Sequence, residues 1–154
     1  MAGATVADEL LERLAGVRLE DDAGRVISAY LNLDPSRFAT APARATEIDS
    51  LLDGASREIR ACEGLPHDAR VALDNDLERL RAYFENEFSA DGARGMALFA
   101  ASPAGLFEAV PLSRPVDTQV TLDVAPRLGP LLDERPEASW LVVLINSREA
   151  RLLG

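Results

Sequence analysis

The chain has 154 residues, of which 47% are hydrophobic and 27% charged, and this composition indicates a globular protein of about one domain. The net charge of -10 excludes attraction of nucleic acid or anionic lipid by the surface as a whole, so any such contact has to be local. All 16 residues counted as Lys or Arg are arginines, which excludes mechanisms that depend on a lysine amine.

Cysteine and histidine each occur once, as Cys62 and His67. One cysteine cannot form an internal disulfide, and one histidine cannot build a histidine-based metal site. The amino-terminal residues carry acids where a signal peptide carries bases, and no segment approaches the roughly 20 apolar residues of a membrane span. We therefore expect a cytoplasmic protein with no metal, no cofactor, and neither membrane nor DNA as a partner.

The first residues predict a short helix and a polar loop, which together make an amino-terminal segment of residues 1–24. Thr5 is the expected N-cap of this helix, and apolar residues follow on one side of it. Residues 25–33 then predict a strand by alternation, and residues 34–36 end it. The apolar face of this strand comprises Ile27, Ala29, Leu31 and Leu33.

Two amphipathic helices are predicted next, over residues 41–62 and 67–88. Apolar residues recur at spacings of three and four in both helices, and Pro42 is tolerated because it falls in the first turn after Thr40. The connection at residues 63–66 is short enough for an antiparallel helix pair. We expect this pair to pack on one face of a sheet.

Residues 94–124 predict the central sheet as three successive strands. Apolar runs at 96–100 and 106–112 flank the turn residues 102–105, which indicates a hairpin. Residues 120–124 then alternate between apolar and polar side chains, as in a strand with one buried and one solvated face.

The carboxyl-terminal residues predict a short helix over 126–135, interrupted by a Gly-Pro pair, and then a fully apolar strand over 140–145. Because little sequence follows this strand, we interpret residues 137–154 as the beginning of a second domain after a first domain of residues 25–136. The expected fold class is α/β (α+β). It comprises a mixed or antiparallel sheet of about four to five strands covered by an antiparallel helix pair, with the start of a second domain at the C-terminus.

No group of residues predicts a catalytic site, so we expect a protein that is not an enzyme. The acidic run 74–78 with Glu85 imitates a calcium loop, but Arg79 stands where such a loop needs glycine. We interpret this run as the charged face of a helix. His67 beside Asp68 is either a general base or a solvated turn residue, and the absence of a nearby nucleophile motif favours the second interpretation.

The loop at residues 34–46 is the most basic stretch of the chain. It contains Arg37 and Arg44, and no acid follows Asp34 until Glu47. Two arginines in a loop suit contact with a phosphate, although a solvated loop with no ligand is the simpler interpretation.

Residues 25–154 resemble the N-terminal part of the bacterial branch of the archaeo-eukaryotic class I peptide chain release factor family. The resemblance rests on the order of strand, helix pair and sheet, and on the phrases GMALFAASPAGLFE and LVVLINSREARLLG. It implies an α/β domain with a protruding helix pair that enters the decoding region of the ribosome. In that family a middle domain follows, whose Gly-Gly-Gln loop promotes hydrolysis of peptidyl-tRNA.

This chain has no adjacent glycines, and its one glutamine, Gln119, lies in a predicted strand. The resemblance therefore implies a non-catalytic N-terminal domain of a release-factor-like, ribosome-associated translation factor, acting in rescue, quality control or hibernation. Its partners are expected to be the ribosome or tRNA. The residues expected to make the ribosome or RNA contact are Arg37, Arg44, Gly64, Leu65, Pro66 and His67.

A second class of function stays open at this point. The chain is alternatively a stand-alone protein-interaction or dimerisation module with no ribosomal role. In that case the apolar strand at 140–145 would pair with another chain or with a second copy of this one.

Overall fold

The computed structural model describes residues 2–89 and 92–132, which form four helices and four strands. In chain order these elements are α1 (Ala2–Ala15), β1 (Val26–Asn32), α2 (Ala41–Ala61), α3 (His67–Asn86), β2 (Gly95–Ala101), β3 (Leu106–Leu112), β4 (Gln119–Asp123) and α4 (Gly129–Leu132). A 3-10 turn, Ser102–Ala104, joins β2 to β3. The α+β class predicted from the sequence is confirmed, and the helix pair begins at both predicted residues.

The four strands form one open, antiparallel sheet in the order β3-β2-β1-β4. Ala29 of β1 lies opposite Leu98 of β2 on one side and opposite Val120 of β4 on the other. The predicted hairpin between β2 and β3 is confirmed, and Gly105 provides the left-handed backbone of its turn, with φ of 65°. β1 and β2 are thus the central strands, while β3 and β4 are the edges of the described sheet.

Helices cover both faces of this sheet. α2 and α3 pack on one face against the predicted apolar side of β1, as expected, and Val120 and Leu122 of β4 join that core. α1 and α4 pack on the opposite face around Tyr30 and Phe99, whose rings meet edge-on at 6.0 Å. Every residue of β1 and β2 is buried, because each face of these strands has its own helical layer.

The two helix starts examined in the sequence have different outcomes. α2 begins after Thr40, as predicted, and the structure shows that Thr40 caps it, since its Oγ1 accepts a hydrogen bond from the N–H of Ala43 at 3.2 Å. The predicted cap at Thr5 is wrong, because α1 begins at Ala2 and Thr5 lies inside the helix. Burial of Leu11 and Leu14 against the sheet positions this helix instead.

The connection from β3 to β4 crosses the sheet from one edge to the other. Its residues pass over the start of β2, where a Cβ on Gly95 would lie 3.0 Å from Cγ1 of Val116. At the far side the connection is held by Thr118, whose Oγ1 accepts from the N–H of Asn32 at 2.9 Å and donates to the carboxylate of Glu47 at 2.5 Å. Thr118 therefore joins β1 to α2 at the point where β4 begins.

Two polar side chains of β1 hold the segment that follows β4. The N–H of Arg127 donates to Ser28 Oγ at 2.9 Å, and the Tyr30 hydroxyl donates to the carbonyl oxygen of Arg127. Burial raises the pKa of Tyr30 above its ordinary value, so the hydroxyl remains a donor. The segment leads into α4, which starts at the Gly-Pro pair instead of being interrupted by it, because proline is tolerated in a first turn.

Removing the Tyr30 hydroxyl is expected to lower the free energy of unfolding by about 1 kcal/mol. In Tyr30→Phe the ring keeps its packing, but the carbonyl group of Arg127 loses a donor next to a buried apolar core. Urea denaturation measures the difference. The control is Tyr83→Phe, which removes the same atom from a ring that is only partly buried, and an equal loss in both variants would contradict the anchoring role of Tyr30.

Residues 133–154 lie outside the described structure. The predicted strand at 140–145 and the second domain at 137–154 therefore stay predictions, as do the boundaries proposed for residues 1–24 and 25–136. Among the helices that the structure does describe, none is both long enough and apolar enough to cross a bilayer.

Candidate nucleic-acid interface

The loop after β1 is folded tightly around Asp34. Its Oδ1 accepts from the N–H of Ser36 at 3.0 Å, and its carbonyl oxygen accepts from the N–H groups of Arg37 and Phe38 at 2.9 and 2.8 Å. Hydrogen bonds from Ser36 lower the pKa of Asp34 below its ordinary value, with smaller contributions from the guanidinium groups of Arg94 and Arg37. The carboxylate is thus charged at neutral pH and keeps the loop in one shape.

Arg44 closes this loop from the first turns of α2. Its Nη1 donates to the carbonyl oxygens of Phe38 and Ala39, both at 3.1 Å. An arginine carries five N–H donors, so these two bonds fix the guanidinium group and leave further donors for an anion. Arg44 is therefore a structural residue of the loop as well as a candidate contact.

A pocket of about 330 Å³ lies between this loop and the start of β2. Among the described residues, Arg44 and Arg94 are the charged side chains that line it, and Phe38 forms part of its wall. The guanidinium carbon of Arg37 lies 5.1 Å from the centroid of the Phe38 ring. We call the group formed by Arg37, Phe38, Arg44 and Arg94 the arginine pocket.

The arginine pocket has the side chains that single-stranded RNA needs from a protein. Guanidinium groups bind phosphate oxygens, and an aromatic ring offers a surface on which an unpaired base can stack. The pocket is a local concentration of positive charge in a chain whose net charge is -10. It satisfies the requirement, set by the composition, that any contact with nucleic acid be local.

Two members of this pocket, Arg37 and Arg44, belong to the basic stretch of the sequence, whereas Arg94 lies far from it and was not predicted as a contact. The antiparallel register places Asn32 opposite Gly95, so the residue before β2 meets the end of β1 and the loop that follows. The N–H of Leu33 accordingly donates to the carbonyl oxygen of Arg94 at 3.1 Å. Arg94 could have been identified only from the pairing of β1 with β2, which brings together residues about 60 positions apart in the sequence.

The other predicted contact region is the tip of the helix pair. Gly64 is exposed with φ of 82°, Leu65 packs partly against the core, and Pro66 precedes His67, the exposed first residue of α3. Arg70 fixes this tip, because it donates to the carbonyl oxygens of Ile59 and Cys62 at the end of α2. The tip is a tight, closed turn. Its first residue, Glu63, and the first turn of α3, with Asp68, add acidic side chains to it.

The two predicted contact regions do not come together in the fold. Arg37 lies in the loop before α2 and Arg44 in its first turn, whereas Gly64 and His67 follow the end of α2. α2 has 21 residues, and a helix of that length is about 30 Å long. One bound phosphate or base cannot reach both ends, so the arginine pocket and the tip are separate candidates.

No protein-family model and no curated protein matches this chain. The arginine pocket, the tip of the helix pair and the order of the elements are accordingly the features on which a function can be argued.

The acidic run 74–78 was predicted to be a charged, solvated face of a helix, and one of its residues, Asp76, does not fit this prediction. α3 continues through residues 74–78, but Asp76 is only 2% exposed. Its carboxylate accepts from the N–H of Ser102, with oxygen distances of 3.0 and 3.2 Å. Asp76 therefore joins α3 to the turn between β2 and β3. Within residues 2–89 and 92–132, no group of three or more His, Cys, Asp or Glu side chains is placed to hold a metal ion.

Proposed function

We propose that this chain is the non-catalytic N-terminal domain of a release-factor-like, ribosome-associated translation factor. It docks on ribosomal RNA or tRNA through the arginine pocket, and any hydrolytic Gly-Gly-Gln loop belongs outside these residues. Its role is in ribosome rescue, quality control or hibernation rather than in reading stop codons. The observation that carries the proposal is that Arg44, Arg94 and Phe38 line one pocket, while the guanidinium group of Arg37 lies over the Phe38 ring.

The order and packing of the elements also support this proposal. A strand, a helix pair and a three-strand segment follow one another as the resemblance implies, and the helix pair lies on one face of the sheet. The pair does not extend far from the sheet, because Ile59 and Ala69 on either side of the tip are both buried. The contact surface proposed here is therefore the arginine pocket in preference to the tip.

Neutralising two arginines of the pocket is expected to weaken ribosome binding and its dependence on salt. Each phosphate contact adds about 0.7 to 0.9 to the slope of log affinity against log salt, so Arg37→Gln with Arg94→Gln should reduce that slope by about 1.5. Arg44 is left in place because it holds the loop together. Co-sedimentation with ribosomes over a series of salt concentrations measures both quantities.

The matched control is Arg18→Gln with Arg60→Gln. It removes the same charge from two exposed arginines near the opposite end of the sheet, where Leu19 bonds to Val124 and where α2 ends. The proposal predicts nearly unchanged binding for this control. Equal losses of ribosome binding in the two double variants would mean that binding depends only on the overall charge, and would contradict the arginine pocket as the contact surface. The absence of salt-sensitive association between the unmodified protein and ribosomes would overturn the ribosomal function itself.

A further inference from the structure

The edge of β4 exposes backbone groups that can pair with another strand. The N–H of Asn32 points from β1 towards β4, because it donates to Thr118 Oγ1. Backbone direction alternates along a strand, so Gln119, Thr121 and Asp123 bond to β1 while Val120 and Leu122 direct their N–H and C=O groups outwards. Among the described residues, those outward groups have no hydrogen-bond partner.

The next outward carbonyl group along this edge, that of Val124, already forms a backbone hydrogen bond. The carbonyl oxygen of Val124, two residues after Leu122, accepts from the N–H of Leu19 at 2.7 Å. This bond closes one end of the edge and leaves Val120 and Leu122 as a short open stretch centred on Thr121. An open edge of this kind is a template for strand addition.

One side of α2 runs beside the same edge. A groove of about 470 Å³ separates the two elements, and a Cβ built on Gly54 would lie 4.0 Å from Cγ2 of Val120. Nη2 of Arg57 lies 3.9 Å from the same built Cβ, so Gly54 faces the groove beside the open stretch together with the guanidinium group of Arg57. Polar residues lie on either side of it along the groove, namely Glu47, Ser50, Arg57 and Glu58.

We propose that the open edge of β4 pairs with β4 of a second copy of this chain, around a two-fold axis at Thr121. Antiparallel pairing about Thr121 places Val120 opposite the partner's Leu122, and Leu122 opposite the partner's Val120. Each of these pairs exchanges two N–H···O bonds, so all four outward N–H and C=O groups of each copy are satisfied. The two sheets join into one continuous antiparallel sheet.

The groove residues of α2 suit a second copy better than an unrelated strand. The same two-fold axis sets the α2 helices antiparallel, with the small residue Gly54 where they approach most closely. Ser50 and Glu58 each lie four residues from Gly54, so a hydroxyl donor of one copy meets a carboxylate acceptor of the other, twice. Glu47 and Arg57 lie on opposite sides of Gly54, so at each end of the contact Arg57 of one copy lies between its own Glu58 and Glu47 of the other copy.

A cysteine at the two-fold axis tests the pairing and its register. In a Cys62→Ser background of the whole chain, Thr121→Cys should form a disulfide-linked dimer on mild oxidation, since facing residues of a non-hydrogen-bonded pair have Cα atoms about 4.5 Å apart. Gln119→Cys alone should not, because its copies would lie about 14 Å apart. Gln119→Cys combined with Asp123→Cys should form the link again.

Light scattering tests the dimer in a second way, without a disulfide link between the copies. The unmodified chain should show a mass approaching twice 16.6 kDa, and rising salt should favour this dimer, because salt screens repulsion between two copies of charge -10. Gly54→Arg should return the mass to 16.6 kDa by filling the helix contact, whereas Ala45→Arg, about half a turn round α2, should not. Circular dichroism confirms that both variants are folded.

Several outcomes would overturn the inference. They are a monomer at every salt and protein concentration tested, equal crosslinking from Thr121→Cys and Gln119→Cys, or pairing of β4 only with some other protein. The opposite salt dependences keep the tests separate, because ribosome binding weakens as salt rises while the dimer strengthens. The dimer does not depend on the ribosomal proposal.

Discussion

Gly95→Val is expected to lower the free energy of unfolding by about 3 kcal/mol. The crossover from β3 to β4 passes directly over Gly95, where a Cβ would lie 3.0 Å from Cγ1 of Val116 and 3.1 Å from the carbonyl oxygen of Arg114. Valine adds two further methyl groups to that Cβ. A backbone oxygen cannot rotate out of the way as a side chain can, so the whole crossover has to move.

Urea denaturation of Gly95→Val, Gly95→Ala and the unmodified protein measures this effect. Alanine adds only the Cβ, so its loss should be about 1 kcal/mol. The matched control is Gly129→Val at the start of α4, where nothing lies within 4 Å of an added Cβ. If Gly95→Val lost no more stability than this control, the crossover would not be packed against β2 as the structure shows.

Local patterns were sufficient to predict the helix pair and the hairpin. Apolar residues at spacings of three and four gave α2 and α3, and Thr40 marked the start of α2 by a mechanism that acts within three residues. The turn at Gly105 is likewise local, because it depends on the backbone freedom of one residue. In these segments the sequence around each residue already contains the interactions that determine its conformation.

The position of β4 could not be predicted in this way. Its alternating pattern identifies a strand but does not say which strand lies beside it, and the chain crosses from β3 to the far side of β1 to form it. The cause is a set of contacts between distant residues, including the passage over Gly95 and the bonds of Thr118 to Asn32 and Glu47. None of these contacts leaves a periodic signal in the sequence.

The candidate site likewise combines residues that a local pattern predicts with a residue that only a long-range contact adds. Arg37 and Arg44 were visible as a basic stretch, but Arg94 joins them only because β1 and β2 pair in antiparallel register. The sequence also did not show that Arg44 is partly occupied by two carbonyl groups of its own loop. The open edge of β4 depends on strand order in a similar way, and was not foreseen.

The burial of Asp76 could have been predicted from its position in the helical pattern. Asp76 lies three residues after Leu73 and four before Leu80, which places it within the apolar stripe of α3. A carboxylate at a core position needs hydrogen-bond donors, and Ser102 supplies them from the turn after β2. Its place in the helical pattern, rather than its acidic neighbours, is what indicates its role.

Asp76→Ala is expected to lower the free energy of unfolding by about 2 kcal/mol. The substitution leaves the N–H of Ser102 without its charged acceptor and removes the link between α3 and the β2–β3 turn. Urea denaturation at neutral pH measures the loss. Asp74→Ala is the control, because Asp74 is exposed on the same helix, and its substitution should change stability by less than about 0.5 kcal/mol.

The stability contributed by Asp76 should also change with pH in a defined direction. Burial raises the pKa of Asp76, and this effect exceeds the opposing effects of the Ser102 hydrogen bonds and of Arg79. The folded state therefore holds this proton more tightly than the unfolded state, whose aspartate pKa is about 3.9. The contribution is largest below that value and decreases as pH rises through the raised pKa of the folded state.

Asp76→Asn isolates this dependence, because asparagine keeps an acceptor for Ser102 but does not titrate. The free energy of unfolding of the unmodified protein, minus that of Asp76→Asn, should fall as the pH is raised above about 4. A difference that increased with pH would mean that the folded state favours the charged carboxylate. In that case the hydrogen bonds from Ser102, and not burial, would dominate the electrostatics of this contact.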